Sequence, residues 1–458
     1  GDVVAITGTA VGTYNNKNVS SATTVTFSGL SLNNSNYSLT VQSPASATIT
    51  AKALTMSGLT ASASKVYDGT TSAAVSGTAT LLSAEAVGAG TTADGKPYTG
   101  DTVAITGTAI GTYNSKDVAS ATTVTFSGLS LNNSNYLLTV QSPASATITT
   151  KALTMSGLTV SASKIYDGTT TATVSGIAAL LVDEAVGTGT TADGKPYTGD
   201  VVAITGTAVG TYNNKNVASA TSVTFSGLSL NNSNYSLTIQ SPASATITAK
   251  ALTMSGLSVA ANKVYNGTTS ATVSGTAALQ SAEAVGTGTT SDGKPYTGDT
   301  VAITGSAVGT YDNKDVSSAT SVTFSGLSLN NSNYSLTIQS PAAATITAKA
   351  LTMSGLTASS SKVYDGTTVA TVSGSATLLS SEAAGAGTTA DGKPYTGDVV
   401  AITGSAVGTY NNKNVANATT VTFSGLSLNN SNYSLTIQSP ATATITAKSL
   451  TMSGLTVS

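Results

Sequence analysis

The chain of 458 residues is poor in charged and aromatic side chains, which make up 8% and 5% of it, and its formal net charge is −2. It contains no Cys, His or Trp, and its 18 basic residues are all lysine. This composition excludes disulfides, thiolate or imidazole metal sites and nucleophile–histidine arrangements. We therefore expect no metal and no cofactor. Without a basic excess, a nucleic-acid partner has almost no electrostatic support.

The sequence repeats itself with a period of 99 residues. Such a period is too long for the coil of a solenoid and matches a whole domain. The string G-D-x-V-A-I-T-G starts at Gly1, Gly100, Gly199, Gly298 and Gly397. Counting from the lysine of the K-A-L-T-M-S-G-L tract predicts four full repeats, flanked by the C-terminal part of one copy and the start of another: 52–150, 151–249, 250–348 and 349–447, with 1–51 before them and 448–458 after them.

The predicted strands of one copy can be followed from residue 103. Val103 and Ile105 alternate with small or polar residues, and Val124 and Phe126 do the same. Alternation of this kind indicates half-buried β-strands. Gly128 reverses the phase of the alternation, so we expect a bulge or a tight bend there.

A turn and a further strand follow. The run from Asn132 to Asn135 predicts a turn, because Asn tolerates a left-handed backbone and caps its own turn. Tyr136, Leu138 and Val140 then form the next inward-facing set, with position 137 facing outward.

The joint between copies is short. Ile148 ends one apolar phase, and Leu153 and Met155 begin the opposite phase a few residues later. This change predicts that the last strand of one domain runs almost directly into the first strand of the next. No Gly/Ser run or Pro-rich spacer occurs at the joints. We predict an all-β fold, a tandem array of ~99-residue β-sandwich-like domains, Ig-like or β-grasp-like, that forms an elongated rod.

Several linked motifs recur in a fixed order. K-V-Y-D-G-T-T starts at Lys65 and has counterparts from Lys164, Lys263 and Lys362, with Asn266 in place of the motif Asp in the third copy. Downstream come G-D-T-V-A-I-T-G, V-T-F-S-G-L-S-L, N-S-N-Y and A-T-I-T-T-K-A-L. This order resembles the YDG-type repeat domain of large bacterial surface and haemagglutinin-like adhesins. The resemblance implies an extracellular, multi-copy β-module at the bacterial cell surface, and it implies neither a catalytic residue nor a defined ligand.

The Y-D-G segment itself has two interpretations. Tyr67, Asp68 and Gly69 could contact a ligand, but Asp-Gly after a β-run is the strongest short hairpin signal. We interpret the segment as a turn, with Tyr67 packed as an anchor at the strand end.

Two chemical alternatives concern the acidic residues. Asp94, Asp101 and Asp117 are the right ligand type for Ca²⁺, but they lack the tight spacing of a calcium loop, so the turn interpretation is preferred. A Lys–Asn isopeptide crosslink promoted by a buried acid is also conceivable. The only Glu of this copy, Glu85, lies in the most variable zone of the repeat, where a required acid is not expected.

Tyrosine offers the best candidate for ligand contact. A tyrosine ring can stack on a sugar, and the tyrosine of the G-K-P-Y segment is the one we expect to be most exposed. The predicted contact residues are Tyr98, Tyr197, Tyr296 and Tyr395.

Three function classes remain. The leading hypothesis is a structural or adhesive stalk or filament of an extracellular fibre, whose partners are neighbouring repeats and other copies of the same fibre. The alternative is a multivalent module in which every copy binds a glycan or host receptor weakly, so that avidity accumulates. An enzyme has the least support, because paired carboxylates would have to act without His or Cys. No apolar run approaches the ~20 residues of a membrane-spanning helix.

Overall fold

The computed structural model describes residues 1–455. Over this range the chain forms strands, turns and bends without any helix, which confirms the all-β prediction. A helix long and apolar enough to cross a membrane is accordingly not found among these residues.

The strands are numbered along the chain. The residues before the first full repeat form β1 (Ile6–Tyr14), β2 (Thr24–Leu32) and β3 (Ala45–Ser46). The repeat at 52–150 forms β4 (Lys52–Ala61), β5 (Ser64–Val66), β6 (Ser72–Ala73), β7 (Val75–Leu81), β8 (Ile105–Tyr113), β9 (Thr123–Leu131), β10 (Tyr136–Thr139), β11 (Ala144–Ser145) and β12 (Thr147–Thr149). The repeat at 151–249 forms β13 (Lys151–Val160), β14 (Ser163–Ile165), β15 (Thr171–Ala172), β16 (Val174–Leu180), β17 (Ile204–Tyr212), β18 (Ser222–Leu230), β19 (Tyr235–Thr238), β20 (Ala243–Ser244) and β21 (Thr246–Thr248). The repeat at 250–348 forms β22 (Lys250–Val259), β23 (Asn262–Val264), β24 (Ser270–Ala271), β25 (Val273–Leu279), β26 (Ile303–Tyr311), β27 (Ser321–Leu329), β28 (Tyr334–Thr337), β29 (Ala342–Ala343) and β30 (Thr345–Thr347). The repeat at 349–447 forms β31 (Lys349–Ala358), β32 (Ser361–Val363), β33 (Val369–Ala370), β34 (Val372–Leu378), β35 (Ile402–Tyr410), β36 (Thr420–Leu428), β37 (Tyr433–Thr436), β38 (Ala441–Thr442) and β39 (Thr444–Thr446).

Each full repeat builds three small sheets. In the repeat at 52–150, β4 lies in the middle of a mixed sheet, parallel to β10 and antiparallel to β7. An antiparallel sheet has the order β11-β9-β8-β6, and β5 pairs in parallel with β12. The same pattern recurs in the other three full repeats, which confirms the tandem arrangement. The parallel pairs distinguish this module from the purely antiparallel Ig-like sandwich.

The core of the repeat at 52–150 takes side chains from the first strand and from the long antiparallel strands. Met56 and Leu59 of β4 pack with Val124 and Phe126 of β9, and all four are at most 7% exposed. The predicted inward positions of β9 are therefore confirmed. Of the predicted strand positions Val103 and Ile105, only Ile105 lies in a strand. The strand β8 begins at Ile105, which is half-buried.

The predicted irregularity at Gly128 is a β-bulge. The register between β8 and β9 shifts between Gly107 and Ile110, so that two residues of β8 lie opposite the single Gly128 of β9. Gly128 has a φ of 77°, a conformation that favours glycine. The extra residue therefore belongs to the partner strand, and Gly128 supplies the bend.

The predicted turn and the short joint are also present. The Asn133 side-chain oxygen accepts a hydrogen bond from the backbone N–H of Asn135 at 3.0 Å, and Tyr136 is buried while Leu137 is 63% exposed. At the joint, β12 ends two residues before β13 begins. The last strand of one repeat thus leads directly into the first strand of the next, as the sequence predicted.

Contacts divide the described chain into two compact units. One comprises Gly1–Ser161, Thr171–Thr211 and Ser222–Ser244, and the other comprises Ala162–Thr170, Tyr212–Thr221 and the chain from Ala245 onward. The tyrosine contacts between consecutive full repeats each lie inside one of these units.

Candidate functional site at the repeat junctions

The Y-D-G segment forms a tight turn after β5. The Asp68 carboxylate accepts hydrogen bonds from the Thr70 backbone N–H and from the Lys65 ammonium, at 2.9 and 2.6 Å, and Gly69 has a φ of 77°. The predicted turn is confirmed. It is not the turn of a hairpin, because β5 pairs with β12 and β6 pairs with β8.

The motif tyrosine of one repeat is buried in the next repeat. In the repeat at 151–249 this residue is Tyr166, which has no exposed surface, and its hydroxyl donates a hydrogen bond to Asp299 Oδ2 at 2.8 Å. Its ring lies 5.3 Å, edge to face, from Tyr334 and 6.0 Å from Tyr296, and these partners belong to the following copy. The same contacts join Tyr67 to Asp200, Tyr235 and Tyr197, and Tyr265 to Asp398, Tyr433 and Tyr395. We call each such set a tyrosine junction.

An aspartate is the centre of each tyrosine junction. Asp299 accepts a second hydrogen bond, at 2.7 Å, from Tyr334 of its own repeat, and Lys215 of the preceding repeat lies 3.9 Å away. Burial, and then the hydrogen bond to Asp299, raises the pKa of Tyr166 well above its usual value. The hydroxyl therefore stays protonated and remains a donor at any physiological pH.

The glycine of the turn allows close approach of the next repeat. A Cβ at Gly168 would lie 2.9 Å from the Val285 side chain, and at Gly267 it would lie 2.8 Å from Ala384. Both glycines also have positive φ, of 78° and 75°. The Y-D-G residues thus have separate tasks: Tyr inserts into the neighbour, Asp fixes the turn, and Gly leaves room for the contact.

Alanine at Gly168 should destabilise the junction by about 1–3 kcal/mol, because left-handed backbone is strained for alanine and the new Cβ crowds Val285. Hydrogen exchange of the segments around Gly168 and Val285 measures the loss of stability. The matched control is Gly366→Ala, where φ is 83° and no atom lies within 4 Å of the added Cβ. Equal losses at the two positions would contradict a contact role for the motif glycine.

A second contact reinforces each junction. The Asn333 side-chain oxygen accepts a hydrogen bond, at 2.9 Å, from the backbone N–H of Val217 in the preceding repeat. Its amide group donates to Asn216 at 3.0 Å. Equivalent pairs are Asn135 with Val19, Asn234 with Val118, and Asn432 with Val316. The N-S-N-Y turn therefore caps a turn of the copy before it.

Two positions show the junction without its partner. Residues 1–51 contain no Y-D-G turn that could insert beside Tyr98, and a cavity of about 280 Å³ lined by Tyr98, Asp101 and Tyr136 lies there. These residues are the counterparts of those that enclose Tyr166 in the later junction. Conversely, only the first residues of the next repeat, 448–458, are present to contact Tyr364, and Tyr364 is only partly buried. Burial of the motif tyrosine therefore depends on the following copy.

A buried lysine lies beside each tyrosine junction. Lys250 has no exposed surface, and its ammonium is 2.8 Å from Glu283 Oε1, 3.0 Å from Asp292 Oδ1 and 4.0 Å from the centroid of the Tyr296 ring. We call this set, with its counterparts around Lys52, Lys151 and Lys349, the lysine cluster.

Charge balance sets the protonation of the lysine cluster. Burial alone would lower the pKa of Lys250, but the hydrogen bonds to Glu283 and Asp292 outweigh it and raise that pKa. Burial would raise the pKa of Asp292, yet the Lys294 backbone N–H and the Lys250 ammonium hold it below its usual value. The cluster is therefore a buried ion pair that carries one additional carboxyl group.

A protein-family comparison now identifies the repeat. The model of the YDG domain matches four segments, residues 50–146, 149–245, 248–344 and 347–447. The chain belongs to the YDG domain family. Neither a curated protein nor a solved structure matches it. In this YDG array the residues that give the family its name form the surface through which one domain holds the next.

Three of the four tyrosines predicted to contact a ligand lie inside the YDG junctions. Tyr197, Tyr296 and Tyr395 are 2–3% exposed, and Tyr98 is half-buried. The expectation of exposure is wrong for Tyr197, Tyr296 and Tyr395, because the preceding Y-D-G tyrosine and the buried lysine cover them. Tyr98 is the most exposed tyrosine of the repeat at 52–150, as expected. Contact with a sugar remains a prediction, and it would require the junction to open.

The aspartates considered for calcium have separate partners in the YDG repeat. Asp94 pairs with Lys52, Asp101 accepts from Tyr136, and the Asp117 carboxylate accepts from Asn234. Within residues 1–455, no group of three or more metal-ligating side chains was found.

Sequence reasoning missed the lysine cluster, although two signals were present. Lys52 has the same strand parity as Leu54 and Met56, which places it on the inward face. Glu85 has a Glu counterpart in every full repeat, at Glu184, Glu283 and Glu382, while its neighbours change. A charged residue retained on an inward face indicates a buried partner of opposite charge.

In the repeat at 250–348, Asn266 occupies the position of the motif aspartate. Asn266 keeps the geometry of the turn, accepting from Lys263 at 2.8 Å and from the Thr268 backbone N–H at 3.1 Å, but it lacks the charge. Burial lowers the pKa of Lys263. Asn266→Asp should therefore stabilise this turn by about 0.5–1 kcal/mol. The gain, measured by hydrogen exchange, should shrink in high salt and as the pH falls through the pKa of the new carboxyl; Asp167→Asn should show the opposite change.

Proposed function

We propose that this chain is part of an extracellular bacterial fibre or adhesin stalk, in which tandem YDG domains provide reach and surface attachment or matrix assembly. The observation that carries the proposal is the burial of the motif tyrosine in successive copies. Tyr67, Tyr166 and Tyr265 are each 0% exposed, and each ring packs against tyrosines of the following repeat. Each copy is therefore anchored in the next one by the same residue.

Three features support the proposal. The contacts between copies use buried rings and hydrogen-bonded carboxylates in place of a flexible linker. The same junction recurs at a fixed spacing, so adding copies adds length without a new kind of interface. The family resemblance is to repeats of exported surface proteins.

Immunogold electron microscopy on intact cells that express the protein tests this proposal. Antibodies raised against the full chain should label filaments or a fibrous layer outside the cell without permeabilisation. Cells in which the gene is deleted provide the control. Labelling that requires permeabilisation would contradict an extracellular role.

The alternative, a multivalent glycan- or receptor-binding module, can be tested on the same protein. A glycan array probed with the full chain should stay silent if the repeats serve as a stalk, because the tyrosines proposed for sugar contact are covered in the junctions. Reproducible binding that is lost in a Tyr98→Ala variant would favour the alternative, since Tyr98 is the least covered of the four.

A further inference from the structure

We propose that the lysine cluster of each full repeat is the site of a self-forming isopeptide crosslink, in which the Lys250 amine and the Asp292 carboxyl group condense while Glu283 carries the protons. The bond depends on the cluster alone and would form whether or not the protein is part of a fibre.

The first support is the placement of the reacting groups. The lysine nitrogen lies 3.0 Å from the nearer aspartate oxygen in all four full repeats. The glutamate oxygen lies 2.6–2.9 Å from the same nitrogen. The lysine is 0% exposed in three copies and 8% exposed at Lys52. Groups held at this distance react as if at very high concentration, with effective molarities of about 10⁵–10⁸ M in favourable cases.

The second support distinguishes the two carboxyl groups. The Lys294 backbone N–H donates to Asp292 Oδ1 at 3.0 Å, and the Thr289 backbone N–H donates to Asp292 Oδ2 at 3.1 Å. Two fixed donors withdraw electron density from this carboxyl group and stabilise negative charge on its oxygens when the nitrogen attacks. Asp292 is therefore the electrophile, and Glu283 is free to exchange protons.

The third support is the route between the two acids. Glu283 Oε2 and Asp292 Oδ2 both lie against Gly288, at a place where any Cβ would collide with them. This glycine leaves space in which the two carboxyl groups face each other. A proton taken from the lysine by Glu283 can thus be delivered to the aspartate oxygen that leaves.

The reaction balances without another reagent. Glu283 accepts a proton from the Lys250 ammonium, and the neutral nitrogen attacks Asp292 Cγ. The new C–N bond forms, and one C–O bond breaks as that oxygen takes up protons and departs as water. Glu283 returns to its starting state, and one amide and one water molecule replace the ammonium and the carboxylate. The two carboxylates stabilise the Lys250 ammonium and so slow the loss of its proton to Glu283. Burial has the opposite effect, because it disfavours the charged form of Lys250.

The mass of the denatured full chain tests whether the crosslink is present. With the bond formed in every full repeat, the chain should be about 72 Da lighter than its sequence requires, which corresponds to one water of about 18 Da per repeat. Proteolysis should then release a branched peptide that joins the Lys250 segment to the Asp292 segment. A mass equal to that of the sequence, or a water loss located elsewhere, would overturn the proposal and leave an ion pair only.

Single substitutions assign the roles. Asp292→Ala and Glu283→Gln should each abolish the loss of one water and leave the other three losses intact. Asp365→Asn is the matched control, because Asp365 pairs with a lysine, Lys362, at 2.9 Å without a second acid, and it should keep all four. Persistence of the fourth water loss in Asp292→Ala would refute this assignment even if that repeat folded poorly, since the electrophile would be absent.

Discussion

Replacing Tyr166 with alanine should destabilise the junction between the repeats at 151–249 and 250–348 by about 3–5 kcal/mol, the usual cost of truncating a buried aromatic side chain. The ring has no exposed surface and packs against Tyr296 and Tyr334. Its removal also deprives Asp299 of one of two tyrosine donors. The alanine variant therefore loses both the packing of the ring and a charge-assisted hydrogen bond, and both losses destabilise the same junction.

Hydrogen exchange of the full chain measures this effect locally, which suits a protein of several repeats better than a single melting temperature. Protection should fall around residues 166 and 296–299. Tyr364→Ala is the matched control, because the same motif residue is only partly buried there, and its effect should be clearly smaller. Tyr166→Phe separates the two contributions, since it keeps the ring and removes the hydrogen bond. Equal effects of alanine at positions 166 and 364 would contradict the junction.

The strand pattern of the repeat could be predicted from the sequence because it depends on local alternation. Val124 and Phe126 lie inward, Leu137 lies outward, and Gly128 bends its strand, as the parity of the apolar residues required. The turn before Tyr136 was predictable for a similar reason, because Asn caps it within the same four residues.

The partners of the motif residues could not be predicted in this way. Tyr67 follows a strand and precedes Asp-Gly, and this local pattern indicates only a strand-end anchor. Its actual partner, Asp200, is 133 residues away in the next copy. In near-identical repeats the sequence of a partner is the same whether it lies in the same copy or in the neighbour. Periodicity therefore reveals that copies exist but not which copy completes a contact.

The ligand-contact tyrosines show the same limit. The segment Gly95-Lys96-Pro97-Tyr98 has the composition of an exposed loop, which made its tyrosine a candidate for sugar binding. Its counterpart Tyr296 is covered by Tyr166 of the preceding repeat and by the Lys250 ammonium of its own repeat. Composition alone does not show what a neighbouring domain covers.

The tyrosine junction and the lysine cluster share one ring, and this connects contact between repeats to the interior of each repeat. Tyr296 contacts Tyr166 of the preceding copy, and the Lys250 ammonium lies 4.0 Å from its centroid. A cation held against an aromatic ring in a desolvated place is worth about 2 kcal/mol. A change in the cluster should therefore also loosen the junction.

Compared with a chain in which Lys250 forms the ion pair and no crosslink, methionine in place of Lys250 should destabilise its repeat by about 3–5 kcal/mol, because removing one partner of a buried ion pair leaves charge without compensation. Glu283 and Asp292 would then face each other without a counter-ion. Hydrogen exchange at β22 measures the loss, and it should extend to the contact of Tyr296 with the preceding repeat. Lys215→Met is the control: that lysine is 49% exposed and lies 3.9 Å from its partner, so its removal should cost less than about 1 kcal/mol.

The pH dependence of the Lys250→Met variant should be opposite in sign to that of the parent protein. In a parent chain in which Lys250 and Asp292 are not crosslinked, the pKa of the Asp292 carboxyl is held below its usual value, so its contribution to stability is present above the unfolded-state pKa and is lost as the pH falls through the folded-state pKa. Without the ammonium, mutual repulsion and burial raise the pKa of the facing carboxyl groups. The folded variant then binds a proton more tightly than its unfolded chain, so its defect should shrink in acid and grow as the pH rises through the unfolded-state pKa. The ordinary pKa of a carboxyl group is about 4, so the stability of the variant should change between about pH 4 and pH 7. A loss of stability that stays the same over this range would contradict a charge-based role for Lys250.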